Sequence, residues 1–184
     1  MWGVQITLKK TVSIEKCDEE DIVRVGQFYD EVILWLNDHV NYPRWIYKVY
    51  PSENSARIMV DAGCQYIYRD GESILAVFAL STEPQGNYQQ GNWSQALEDG
   101  LYLVLHALAI DSKKQRRGIG TEIIQFCIAK AKEDNNKAIR VDIVPTNYPA
   151  RRLFEKNGFV YVGDVDLGLG IGNIPAFSLY ELNL

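Results

Sequence analysis

Hydrophobic and polar positions along this chain change period often enough to draw most of its secondary structure. Residues 4–14 carry β-branched side chains in a strand-like run. Across 18–39 the apolar positions Ile22, Val25, Phe28, Tyr29, Val32, Ile33 and Leu36 recur at helical spacing, with Asp18 or Asp21 as the cap. An aromatic-rich stretch follows, and a short helix is expected over 52–61, ending at Gly63. Residues 65–68 and 73–80 read as a hairpin around Arg69-Asp70-Gly71-Glu72. Residues 81–100 are polar and aperiodic, and a loop of that length is often functional. The run 101–110 is continuously apolar, as expected for a strand buried on both faces. Then come a helix over 118–133, a strand over 138–144, a short helix over 149–156 and strands over 159–165 and 175–182. This order predicts one α/β domain over 1–184 with a mixed sheet.

Composition narrows the field. Apolar residues make up 47% and charged residues 23% of the 184, which suits a soluble globular chain. The formal net charge of -5 argues against nucleic acid as a partner, because phosphate backbones need a basic face. Cys17, Cys64 and Cys127 are widely spaced and show no metal-site pattern, so they read as core thiols and no metal is expected. The start of the chain lacks the pattern of a signal peptide, and no apolar run approaches the roughly 18 residues of a membrane span. A cytoplasmic protein is the expectation.

The informative segment joins the apolar strand to the next helix. There Gln115-Arg116-Arg117-Gly118-Ile119-Gly120 opens a helix directly, with Lys113 and Lys114 beside it. The first turn of a helix has backbone N–H groups without partners and partial positive charge, and both suit phosphate oxygens. Glycines at 118 and 120 let the backbone approach closely. The P-loop pattern fails because Gly120-Thr121-Glu122 lacks the lysine, and the dinucleotide fingerprint fails at Ile123. A second glycine run, Gly168-Leu169-Gly170-Ile171-Gly172, precedes a strand and reads as a loop.

The segment 115–120 resembles the Q/R-x-x-G-x-G/A motif of the GNAT N-acetyltransferase superfamily, and the chain looks like a bacterial-type member. Residues 147–159, from Asn147 to Phe159, are similar to that family's second hallmark, N-x-x-A-x-x-L-Y-x-x-x-G-F. The two motifs stand one helix and one strand apart, as in the family. The resemblance implies a mixed, mostly antiparallel sheet flanked by helices, with splayed central strands holding acetyl-CoA. Residues 101–165 would form the acetyl-CoA-binding core, and the N-terminal half would face the acceptor. Leu108, Ala109 and Ile110 would pair with the pantetheine arm. Backbone amides of Gln115, Arg116, Arg117, Gly118, Ile119, Gly120 and Thr121 would hold the pyrophosphate. Asn147 would lie beside the arm on the next strand, with Ala150, Leu153 and Phe154 near the thioester. A C-terminal edge strand could support a homodimer.

Transfer to an amine needs a proton acceptor, a stabilised carbonyl oxygen and a proton for the leaving sulfur. The family often uses tyrosine as that last donor, where this chain has Phe154, which has no proton to give. Tyr148 is the candidate replacement. His106 stands in the apolar strand as either the catalytic base or a core histidine bonded to a carbonyl. Trp45, Tyr88 and Trp93 are candidate walls of the acceptor pocket. The expected activity is acetylation of a primary amine on a small molecule or peptide, and the alternative is an acetyl-CoA sensor without turnover.

Overall fold

The computed structural model describes residues 12–115, 117–171 and 174–184. Its first half contains β1 (Val12–Lys16), α1 (Ile22–Asn37), α2 (Glu53–Asp61), β2 (Gln65–Asp70), β3 (Ser73–Ser81) and β4 (Tyr102–Ile110). The second half contains α3 (Ile119–Glu133), β5 (Ala138–Ile143), α4 (Tyr148–Lys156), β6 (Val160–Val165) and β7 (Phe177–Asn183). The strands form one sheet in the order β1-β2-β3-β4-β5-β7-β6. Every neighbouring pair is antiparallel except β4 and β5.

Two expectations change. Most of the first expected strand, residues 4–11, lies outside the described residues, and β1 begins at Val12. The C-terminal strand is not an edge, because β7 sits between β5 and β6. The argument for a homodimer through that strand therefore loses its basis.

Local chemistry explains the helices on the acceptor side. The Asp18 carboxylate accepts from the Glu20 N–H at 2.9 Å and starts the turn that leads into α1. The seven apolar positions of the helical period are buried, as their spacing requires. Ser52 and Ser55 form a reciprocal cap at the start of α2. Gly26 lets the helices touch, since a Cβ there would lie 2.7 Å from Glu53 Cβ.

The sheet divides the core. On one face α3 and α4 cover Tyr66, Phe78, Leu105, Ile139 and Val141. On the other, α1 and α2 cover Ile67, Val77 and Ala109. A third cluster around Tyr88, Tyr102, Val104 and Leu179 lies beneath the long loop 82–101. That loop is ordered by a buried ion pair absent from the sequence reading. Arg140 and Glu181, each 2% exposed, meet at 3.1 Å. The guanidinium lies between the rings of Trp93 and Tyr102, 4.1 and 4.0 Å from their centroids. Glu181 accepts from the Ser94 N–H and hydroxyl, while Arg140 donates to the Gln95 carbonyl. Every strong group is matched, as burial of charge demands.

Candidate active site

The site begins where two strands stop pairing. Strands β4 and β5 are in register only at Tyr102↔Ala138, Leu103↔Ile139 and Val104↔Arg140. Beyond Val104 no described strand pairs with β4 on that side, so the sheet splits. On its other side β4 carries a bulge: Val77 and Ala79 of β3 face Ala109 and His106, leaving one extra residue on β4. Ala107 absorbs it with φ of 48°, a left-handed conformation rare for alanine. The Asp111 N–H donates to the Leu75 carbonyl on β3, so by alternation Ala109 also faces β3. Leu108 and Ile110 therefore direct their N–H and C=O groups into the split. Of the three residues expected to pair with an extended ligand, Ala109 is already engaged with β3.

The end of β4 turns into α3. Asp111 accepts from the Lys113 N–H at 2.9 Å, and Gly118 caps the helix with φ of 86°. A Cβ at Gly118 would meet nothing within 4 Å, so its surroundings are open. The exposed Gln115 and Arg117 flank it, and Arg116 lies outside the described residues. Free N–H groups at the start of α3 suit an anion. Gly120 has a different reason to be glycine. Its Cβ would lie 2.8 and 2.9 Å from the Leu153 methyls and 3.5 Å from Ile110, so it sets the packing of α3 on α4 and β4. Ile119 is core, and Thr121 accepts weakly from the Asn157 amide at 3.4 Å.

On the face opposite α3, the split is lined by polar groups. His106 is 8% exposed, and its Nε2 is buried without a hydrogen-bond partner. Its Nδ1 lies 3.7 Å from Asp142 Oδ1 on β5. Burial pushes the His106 pKa below its ordinary value, against the opposing pull of Asp142 and the Glu83 backbone. Tyr88 donates to the same Asp142 oxygen at 2.5 Å, and burial next to that carboxylate raises its own pKa well above the usual value. Burial, with Asp142 nearby, also pushes Tyr50 up to about 12. Both phenols are therefore donors at neutral pH.

A family model for the acetyltransferase (GNAT) family matches residues 31–159. This chain belongs to the GNAT acetyltransferase family. GNAT enzymes use acetyl-CoA, and the split sheet with its glycine-capped helix fits that cofactor. The fold agrees with that of a GNAT acetyltransferase from Streptococcus agalactiae, with a TM-score of 0.76 at 17% identity over 94% of this chain and 95% of that one. A Listeria monocytogenes GNAT acetyltransferase gives 0.72 at 13% identity over 94% and 95%. The yncA protein of Salmonella typhimurium, solved with its cofactor acetyl-CoA, gives 0.64 at 14% identity over 95% and 94%. No curated protein matches the chain by sequence.

Within this GNAT fold the remaining expected site residues separate. Asn147 is not on a strand: it caps α4, accepting from the Ala150 N–H at 3.3 Å. Ala150 and Leu153 pack on the α3-side core, and Phe154 is buried there against Phe159. Tyr148 opens α4, exposed, with its ring 6.2 Å from that of Tyr42. Trp45 packs edge-on to Tyr29 at 6.2 Å. Trp93 donates to the Tyr88 carbonyl and covers Arg140, so it braces the loop. Asp142 and Tyr50 are absent from the site residues expected from the sequence. A lone acidic residue inside the apolar run 138–144 was the available signal for Asp142; Tyr50 had none among so many tyrosines. Among the described residues no helix is long and apolar enough to cross a membrane, and no cluster of metal-binding side chains occurs.

Proposed function

We propose that this GNAT acetyltransferase acetylates a primary amine on a small molecule or peptide by direct attack, with both substrates bound together. The observation that carries the reading is the buried, unpartnered Nε2 of His106, two residues past the last rung before the split, with Asp142 on the other side of the same ring. The donor, when bound, supplies an acetyl group as an electrophilic thioester. Backbone amides of Gln115, Arg117, Gly118, Ile119, Gly120 and Thr121 would hold its pyrophosphate, and the Leu108 carbonyl with the Ile110 backbone groups its extended arm.

The chain's own groups then have distinct tasks. Asp142 draws the acceptor's ammonium toward the split by its charge. His106, held neutral by burial, takes a proton from that ammonium through Nε2, directly or through one water. Asp142 stabilises the imidazolium that results. The freed lone pair would form the N–C bond as the C–S bond breaks, the sulfur leaving as a thiolate and the nitrogen passing its second proton to solvent to give the neutral amide. Leu108 N–H, directed into the split, offsets charge gathering on the carbonyl oxygen. Phe154 has no proton to give, so Tyr148 is assigned as the donor to the departing sulfur.

Calorimetry with acetyl-CoA on the wild type and Gly118→Asp tests the donor half. Aspartate tolerates the left-handed region and would project into open space, so the variant keeps its fold while setting a negative charge at the cradle. Binding by the wild type and its loss in the variant is the expected result. No binding by folded wild type overturns the reading. An amine panel followed by release of free thiol tests the other half, and binding without turnover across the panel would favour a sensor.

A further inference from the structure

We propose that Tyr29 is a positioning residue for acetyl transfer: its hydroxyl, donating to the Ala107 carbonyl at 3.1 Å, holds the bulged peptide so that Leu108 N–H stays aimed into the split. The inference rests on the reading of Leu108 N–H as a donor to the thioester oxygen. Tyr29 lies on α1, 78 residues from Ala107 in sequence, and is fully buried. The peptide between Ala107 and Leu108 is planar, and in a trans peptide C=O and N–H point in opposite directions. Fixing the carbonyl toward Tyr29 therefore fixes the amide the other way.

The need for a restraint comes from Ala107 itself. An alanine at φ of 48° is strained, and rotation about its N–Cα bond would relieve it while swinging the following peptide and turning the Leu108 amide out of the split. Tyr29 is well suited to prevent that rotation. Its ring is packed in the core shared by Val25, Val32 and Ala56, with Trp45 at its edge. Nearby, the Gln65 side chain donates to the Phe78 carbonyl at 2.9 Å and so ties β3 into the same core. Burial raises the phenol pKa, so the hydroxyl keeps its proton for Ala107. A helix on the acceptor side thus holds a peptide that serves the donor side.

The test compares wild type, Tyr29→Phe and Val32→Ala in the full chain. Calorimetry gives acetyl-CoA affinity, and acetyl-CoA labelled with ¹³C at the carbonyl reports polarisation of that group by NMR. Wild type is expected to move the bound carbonyl resonance downfield of the free value. Tyr29→Phe should bind with unchanged affinity, lose most of that shift, and lower kcat by about 10- to 100-fold with an unchanged KM for acetyl-CoA. Val32→Ala loosens the same helix without touching the bulge and should keep the shift. A full shift in Tyr29→Phe, or its loss in Val32→Ala as well, overturns the proposal. If wild type fails to bind acetyl-CoA, the donor reading falls instead. The Leu108 ¹⁵N resonance of the protein alone then decides whether Tyr29 holds the peptide, and no change in Tyr29→Phe overturns that too.

Discussion

Removing one member of the Arg140–Glu181 pair should unfold a large part of this protein's stability margin, whereas removing both should not. Each residue is 2% exposed, so the partner left behind has little water to turn to. Stranding a buried charge costs about 3–5 kcal/mol. Arg140→Met also gives up the guanidinium's contact with the Trp93 and Tyr102 rings, about 0.5–2 kcal/mol each, although methionine regains some of that packing. Among the described residues, Glu181→Leu leaves the Arg140 cation with the Gln95 carbonyl and the two rings. We expect about 4 kcal/mol for either single variant, against a total of about 5–15 kcal/mol for a typical domain. The double variant replaces the pair by apolar groups and should lie within about 2 kcal/mol of wild type. Urea unfolding followed by circular dichroism measures all four proteins, with an unchanged m-value as the condition for comparing midpoints. A double variant as unstable as the two singles combined would refute the reasoning. So would single variants costing less than about 1 kcal/mol, since these charges would then be solvated or unpaired.

Asp142→Asn should raise the KM for the amine and lower kcat/KM by about 10²-fold while leaving acetyl-CoA affinity unchanged, as read by initial rates and calorimetry. The acid limb of the kcat/KM profile should fall below the ordinary histidine value of 6.5, because burial disfavours the His106 imidazolium; activity is lost as pH drops through the lowered pKa. Asp142 raises that pKa and Tyr88 and Tyr50 stay neutral, so Asp142→Asn should push the limb lower still. The same group makes stability complete above about 6.5 and reduces it as pH falls toward the folded-state value, since the unfolded chain takes up the proton more readily; thermal melts of His106→Asn should lack that component. Gly120→Ala should lose stability to the Leu153 clash, by about 1–2 kcal/mol after the gain in helix propensity, and Leu153→Val beside it should recover part of the loss. Gly118→Ala should lose about 1–2 kcal/mol to its positive φ alone, and no change at Leu153 should recover it.

Much of the fold was legible because its elements are amphipathic. The α1 period named all of its large buried residues, and the apolar run of β4 announced a strand covered on both faces. The glycine turn was readable as an anion cradle because backbone N–H groups at a helix start are a local property. Why position 120 must be glycine was not legible for the opposite reason: what a side chain there would meet, Leu153, comes from α4 and only the packed structure supplies it. The same holds for Asn147, which the family motif pointed toward the cofactor and which here caps a helix. Asp142 and His106 lie on strands adjacent only through a short parallel ladder, so no spacing rule joins them. Trp93 reads from the sequence as a candidate wall of the acceptor pocket, and nothing local tells that Arg140, far along the chain, lies beneath its ring. Register and long-range pairing are properties of the assembled sheet, and they decided every residue that moved.

Three rungs of ladder between β4 and β5 join the two blocks of the sheet. On one side of them stands the antiparallel block β1 to β4, and on the other the block β5, β7 and β6. His106 belongs to the first tine and Asp142 to the second, so their 3.7 Å separation measures the aperture between the blocks and is set by neither strand alone. Anything that wedges the tines apart or lets them close retunes the acid–base pair. A substitution at a rung, Val104 or Ala138, can therefore reach the chemistry without touching it.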